Sequence, residues 1–264
     1  MANASHHVPS FPESSVLVVG GTSGVGLAAA KAFALAGVRR IAIVGRDPDR
    51  GARARDAVAA LSSSAQVAFI AADANEAGSA QAAADEAARL LGPADILVNS
   101  TVGPAVPTLF HDLDIRRISE DLNGLVMAPL LMCRAVLPGM RARGGGVIVN
   151  VASDAAKAPT PGEAVIGAAM AGIVMFTRTL AMEAKRDGVR VNALTPSLIE
   201  GTMTYDRVFE HAFSARLFEK AAKMASLGVV QPEDLAAAIL FLVSPQAARI
   251  TGQVISVNGG ISAA

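Results

Sequence analysis

Ser15-Val-Leu-Val-Val-Gly20-Gly-Thr-Ser-Gly24-Val-Gly26-Leu-Ala-Ala-Ala-Lys-Ala-Phe33 decides how the rest of the chain is read. Its four apolar residues, Val16 to Val19, have the length of a buried strand. The run stops at Gly20, and an Ala-rich, helix-favouring run starts near Gly24 and ends by Gly37. The glycines at 20, 24 and 26 therefore sit on a strand-to-helix turn. Gly20 lets the chain leave the strand tightly. Gly24 removes a side chain where a diphosphate approaches backbone N–H groups, and Gly26 lets the helix pack close to the sheet. The helix start offers unpaired N–H donors and a partial positive charge to phosphate. Thr22, Ser23 and Val25 belong to the same turn and are assigned with it. A Gly-rich turn without a ligand is the plain alternative, and the rest of the chain decides between the two.

The sequence has 264 residues, a length that suits one α/β domain, and no linker divides it. Met1 to Pro12 are polar and Pro-containing, without the charged start and apolar core of a secretory leader. Residues 1–14 are assigned to a flexible tail, and 15–264 to one domain. Basic and acidic side chains balance at 23 each, with no basic block, which disfavours nucleic acid and anionic membranes as partners. No apolar stretch of about 18 residues is present, so no spanning helix is expected. A single cysteine, Cys133, excludes an internal disulfide and fits a reducing, cytoplasmic setting. The four histidines, at 6, 7, 111 and 211, lack metal-ligand spacing, and no metal is expected.

Apolar runs alternate with helical patterns along the whole chain. Strands are expected at 40–46, 67–71, 96–99, 146–153, 189–194 and 253–257, after the first at 16–19. Helices are expected over 47–62, 76–91, 115–143, 161–187 and 233–243, with an irregular helical stretch at 203–225. This order predicts a single-domain Rossmann-type α/β fold: a doubly wound parallel sheet of about seven strands with helices on both faces. Ligands of such sheets lie beyond the carboxyl ends of the strands. Gly20, Arg46, Asp73, Asn99, Ser153 and Pro196 all fall at those ends.

The end of the second strand chooses the dinucleotide. An acid there accepts from the 2′-hydroxyl of NAD, whereas an arginine pairs with the 2′-phosphate of NADP. Here Gly45 takes the acid's position and Arg46 follows, so NADP(H) is expected over NAD(H). Asp73, after the third strand, is assigned to the adenine.

From about Ser15 to Gly260 the chain resembles the short-chain dehydrogenase/reductase family. The resemblance rests on the Gly-x-x-x-Gly-x-Gly turn, Asp95-Ile-Leu-Val-Asn99-Ser, Asp121-Leu-Asn123 and Gly146-Val-Ile-Val-Asn-Val-Ala-Ser153. It continues through Val189-Arg-Val-Asn-Ala-Leu-Thr-Pro196 and Thr251-Gly-Gln-Val-Ile-Ser-Val-Asn-Gly-Gly260. It implies that Asn99, Pro196, Ile199 and Thr202 line the cofactor, and that Ser153 polarises the substrate oxygen. Asn123 would stand in the catalytic group, and residues 198–228 would form a substrate lid. It also implies a homodimer or homotetramer packed through the 115–143 and 161–187 helices, with Leu130, Leu131, Ile173, Val174 and Phe176 available for contact.

The family's chemistry further needs a Tyr-x-x-x-Lys pair, the Tyr thirteen residues past the Ser. Spacing of four puts both side chains on one helix face. In this chain those positions are Ile166 and Met170, and the only tyrosine is Tyr205. Neither replacement can transfer a proton. The candidates for that role are Tyr205, Lys157, Glu163, His211 or water.

Three readings follow. The first is an NADP(H)-dependent oxidoreductase with a rebuilt proton relay, acting on an apolar carbonyl, alcohol, enoyl or imine small molecule. The second is a non-redox isomerase, lyase or cyclase using Ser153 with Asp154 or Glu163. The third is an inactive NADP(H) sensor or oligomer partner. Met203, Phe209, Phe213, Phe218 and Met224 make the lid apolar, which is the ground for an apolar substrate.

Overall fold

Within Ser15–Val19 (β1), side chains alternate between two faces that are both buried. Val16 and Val18 enter one apolar core, and Leu17 and Val19 the other. A strand buried on both faces needs helices above and below it. The remaining elements supply them across residues 10–263, which the computed structural model describes.

The other strands are β2 (Arg40–Gly45), β3 (Gln66–Ala71), β4 (Ile96–Asn99), β5 (Gly146–Val151), β6 (Val189–Thr195) and β7 (Val254–Ser256). All pair in parallel, in the order β3-β2-β1-β4-β5-β6-β7. The order reverses between β1 and β4, which opens a crevice at their carboxyl ends. On the Val16 face lie α1 (Gly24–Leu35), α2 (Pro48–Ala59) and α8 (Pro232–Val243). On the Leu17 face lie α3 (Ala77–Leu91), α4 (Ile118–Ala142) and α5 (Ala164–Ala184). Two lid helices, α6 (Met203–Phe209) and α7 (Ala212–Met224), stand between β6 and α8 in the chain. The doubly wound seven-stranded sheet is thus the one the sequence predicts.

Element ends follow local chemistry. The Asp47 carboxylate accepts from Arg50 N–H at 3.0 Å and caps α2, with Pro48 in its first turn. Gln231 and Asp234 form a capping box on α8, again with Pro at the first turn. α5 starts at Ala164 rather than 161, because Gly162 (φ +86°) turns the chain first. β5 ends at Val151, and Ser153 instead caps a short 3-10 turn, Asp154–Ala156. The 203–225 stretch splits into α6 and α7.

Of the residues assigned to a flexible tail, 1–9 lie outside the described residues. Phe11–Glu13 form a 3-10 turn, and the Phe11 ring packs edge-on to Phe33 of α1 at 6.3 Å. That part of the tail belongs to the core, because an aromatic ring has apolar surface to bury.

Residues 115–142 and 164–187 are long and apolar enough, by length and composition, to cross a membrane. Part of each apolar face is used inside this subunit: Met132, Cys133, Leu180 and Ala181 are buried against the sheet. Ile173 and Val174, expected to be available for contact with another subunit, are also buried in this subunit's core. Met175 and Met182 are the large apolar α5 side chains left exposed, at 59% and 61%.

Candidate functional site

A cavity of about 520 Å³ opens at the carboxyl ends of β1, β4, β5 and β6. Gly20, Ser23, Gly24 and Val25 form one wall, and Ser153 with Pro196 the floor. Ile199, Thr202 and Tyr205 come over it from the lid side. Thr202 begins α6, accepting from Tyr205 N–H at 3.1 Å and donating to Ile199 C=O at 2.9 Å. The expected glycine turn and the expected catalytic serine therefore share one space.

The turn has the shape of a phosphate cradle. Gly24 has φ +50°, and a Cβ built on it would face Thr202 Cγ2 at 3.4 Å across the cavity. A Cβ on Gly26 would lie 2.3 Å from Gly20 O, so α1 touches the strand end through bare backbone. Thr22 lies behind this wall, where a Cβ on Gly45 would meet its Cγ2 at 2.6 Å. That contact keeps a side chain, and hence an acid, out of position 45. These residues fit a dinucleotide, with its diphosphate on the N-terminus of α1. Arg46 is exposed at the end of β2, and among the described residues no hydrogen bond or ion pair holds its guanidinium. Asp73 sits at the end of β3, half-buried, accepting from the Asn75 N–H at 3.0 Å.

Several expected residues point elsewhere. The Asn99 amide is 2% exposed and donates to Asn150 Oδ1 at 2.8 Å and to Cys133 Sγ, so it braces β4, β5 and α4 from inside. Asn123 is exposed on α4 and absent from the cavity wall. The α4 side chain that does face the cavity is Leu125, 4% exposed and packed with Met170 and Ile166. Lys157 is turned under the floor, donating to Ser256 Oγ and standing 3.7 Å from Asp154. Asp154 accepts from Asn258 at 2.5 Å, from Ser262 at 2.6 Å and from Ser256 at 3.2 Å. Its carboxylate is filled by structural partners, which removes both Asp154 and Lys157 from proton transfer. His211 is exposed at the start of α7 and off the wall.

Of the candidates for proton transfer or substrate orientation, Ser153, Glu163 and Tyr205 stay on the cavity wall. Ser153 Oγ accepts from Ala155 N–H at 3.2 Å, which leaves its own O–H to donate. Glu163 lies on the wall beside Ile166, and burial pushes its carboxyl above its ordinary value, partly offset by a hydrogen bond from Thr160. Tyr205 packs on Phe209 with ring centroids 4.7 Å apart. The apolar patch of Leu125, Ile166 and Met170 on the same cavity carries no titratable group.

Sequence reasoning missed Leu125, although the buried positions 121, 125, 128 and 132 of α4 repeat at helical spacing and leave 123 off the stripe. It also missed Ile261 and Ser262, which close the cavity from the C-terminal segment. No local signal marks these two.

Comparison with known proteins agrees with this fold and cradle. A family model described as enoyl-(acyl carrier protein) reductase matches residues 19–262. The chain belongs to the short-chain dehydrogenase/reductase family of oxidoreductases. It is 33% identical over 264 residues to a probable galactose dehydrogenase of Rhizobium meliloti, covering 99% of this chain and all of that one. It superposes with TM-score 0.86 and 32% identity on an NADPH-bound short-chain oxidoreductase from Pseudomonas aeruginosa PAO1 described as containing an atypical catalytic center, covering 96% and 98% of the two chains. A 3-ketoacyl-(acyl-carrier-protein) reductase from Brucella melitensis, complexed with NADH, aligns with TM-score 0.84 and 30% identity over 96% of this chain and the whole of that one. Members this similar thus hold either nicotinamide dinucleotide.

Proposed function

We propose that this protein is an NADP(H)-dependent oxidoreductase of an apolar carbonyl, alcohol, enoyl or imine compound, with Glu163 in place of a tyrosine as proton donor. The observation that carries it is the shared cavity: a glycine cradle, a serine hydroxyl free to donate, and the Glu163 carboxyl, raised by burial, on one wall. The bound cofactor supplies a hydride to the substrate's electrophilic carbon. Ser153 donates its O–H to the substrate's carbonyl oxygen and fixes its orientation. Glu163, whose carboxyl burial pushes above its ordinary value, passes its proton to that oxygen, or to the α-carbon of an enoyl group, and recovers one from solvent. Leu125, Ile166 and Met170 exclude water and favour an apolar substrate. Gly45 and the unpaired Arg46 support NADP(H) over NAD(H), because a 2′-phosphate finds a cation there and a 2′-hydroxyl finds no acid. The proposal takes the protein as a cytoplasmic homodimer or homotetramer, on its one buried cysteine and the exposed Met175 and Met182 of α5.

Fluorescence titration of NADPH and NADH tests the first half. NADPH is expected to bind more tightly, and Arg46→Ala to weaken it roughly 10–100-fold while leaving NADH unchanged. NADH winning in the wild type would overturn the assignment. The apolar wall favours one alternative, a non-redox isomerase, lyase or cyclase in which Glu163 and Ser153 do the acid–base work. Product formation without hydride transfer, lost in Ser153→Ala, would select it.

A further inference from the structure

The geometry points to Arg50 as a second phosphate ligand for the dinucleotide, joining the adenosine end of the site to the lid. This rests on the proposed cofactor reading.

Arg50 lies in the first turn of α2, four residues past Arg46. Its side chain is two-thirds covered, yet among the described residues its guanidinium is within hydrogen-bond distance of no carboxylate. Nε is buried without a partner. Nη1 donates to Met203 Sδ at 3.1 Å, and a thioether is a weak acceptor. Nη2 stands 3.7 Å from an Asp47 carboxylate that is already capping the helix. A guanidinium with a buried, unpartnered Nε and only a thioether on Nη1 keeps donors in hand for an anion, which arginine binds bidentately.

Its location names the anion. Met203 starts α6 and lines the cavity directly after Thr202, the residue that faces Gly24 across the cradle. Arg50 therefore spans from the β2–α2 turn to the lid, over the side where the adenosine half of a dinucleotide lies. The competing role, an exposed i,i+3 pair with Asp47, is worth only about 0.3–0.5 kcal/mol. A phosphate would displace it and would at the same time tie α6 down through the Met203 contact.

The test is titration of wild type, Arg50→Met and Arg50→Lys with NADPH and with NADH, alongside melting curves without cofactor. Arg50→Met keeps the stem packing, so it should melt close to wild type and bind NADPH roughly 10–100-fold more weakly. Arg50→Lys, which keeps a point charge, should recover part of that loss and serves if the methionine variant does not fold. NADH affinity tells which phosphate is held: unchanged means the 2′-phosphate, equally weakened means the diphosphate. Wild-type affinity for both cofactors in Arg50→Met overturns the inference and leaves the cofactor reading standing. Failure of wild type to bind either dinucleotide overturns that reading, and this inference with it.

Discussion

Replacing Gly26 by alanine tests the cradle without knowledge of any substrate. The added Cβ would lie 2.3 Å from Gly20 O and 3.0 Å from Gly21 Cα, both backbone, so no side chain can swing aside. Ordinary contact requires α1 to retreat by about an ångström. Overpacking of this kind costs about 1–3 kcal/mol, less the 0.5–1 kcal/mol that alanine gains over glycine inside a helix. The net loss is up to about 2.5 kcal/mol. Spread over 264 residues, the unfolding entropy converts that into a Tm lower by up to about 5 °C. The same retreat carries the α1 N–H groups off the diphosphate. Loss of one charged hydrogen bond, about 1.5–3 kcal/mol, raises the NADPH Kd roughly 10–150-fold. Gly78, in the first turn of α3, is the control: a Cβ there meets nothing within 4 Å. Gly78→Ala should therefore raise Tm by about 1–2 °C and leave cofactor binding untouched. The assays are thermal melting and NADPH fluorescence titration. A Gly26→Ala protein that melts at or above wild type and binds NADPH equally well would refute the close approach of α1 to the strand end.

Glu163→Gln should lower turnover roughly 10²–10⁴-fold and flatten its pH profile. In the wild type, reduction falls as pH rises through the raised Glu163 pKa. The stability sign runs the same way: a carboxyl raised in the fold stabilises it fully below the unfolded value near 4.5 and loses that contribution as pH rises through the folded one. Glu163→Gln should thus gain Tm relative to wild type toward neutral pH, and a retained pH limb in its turnover would rule Glu163 out as donor. Cys133 is 1% exposed, and burial pushes its thiol up to about 12. It should react with a thiol reagent only when the protein unfolds, with labelling rates that follow denaturant concentration; stoichiometric labelling of the native protein would contradict its place between β4, β5 and α4.

The fold was legible because it rests on patterns of period and punctuation. Four-residue apolar runs, Pro at helix starts and Gly at strand ends each state a local preference, and the crossover rule assembles them. The cofactor wall was legible for the same reason: a turn is local, and Gly20, Gly24 and Gly26 lie within seven residues. The catalytic floor was less so, because its polar partners are distant in sequence. Asp154 is filled by Ser256, Asn258 and Ser262, more than a hundred residues on, and no window of sequence displays that. Two misplacements had signals that went unused. Strand parity puts Asn99 on the same face as Leu97, toward α4, and helical period puts Asn123 off the buried stripe that contains Leu125. In both cases likeness to a motif outweighed the period, and the period decides where a side chain points.

The apolar wall bears on the chemistry as a unit. Leu125 comes from α4, Ile166 and Met170 from α5, and they pack on one another. Had only one of a set of polar partners been exchanged, the others would stand in a dry site with unmet donors, at about 1–3 kcal/mol each. No such residue exists on this wall: the buried side-chain atoms without partners, among the described residues, belong to Arg50, Asn99 and Arg190. The wall is therefore a finished surface, consistent from helix to helix. Its cost falls on the transition state instead. With no cation on the Leu125, Ile166 and Met170 wall, negative charge on the reacting oxygen is met there by the Ser153 hydroxyl and whatever proton Glu163 delivers. A reaction that moves hydride ahead of a proton onto oxygen would build an alkoxide in an apolar pocket, where desolvation penalises it most. Transfer in which the proton moves with the hydride, or in which the acceptor is an imine or a conjugated alkene, avoids that charge, and this is the chemistry that a Glu163 carboxyl raised above its ordinary value is suited to support.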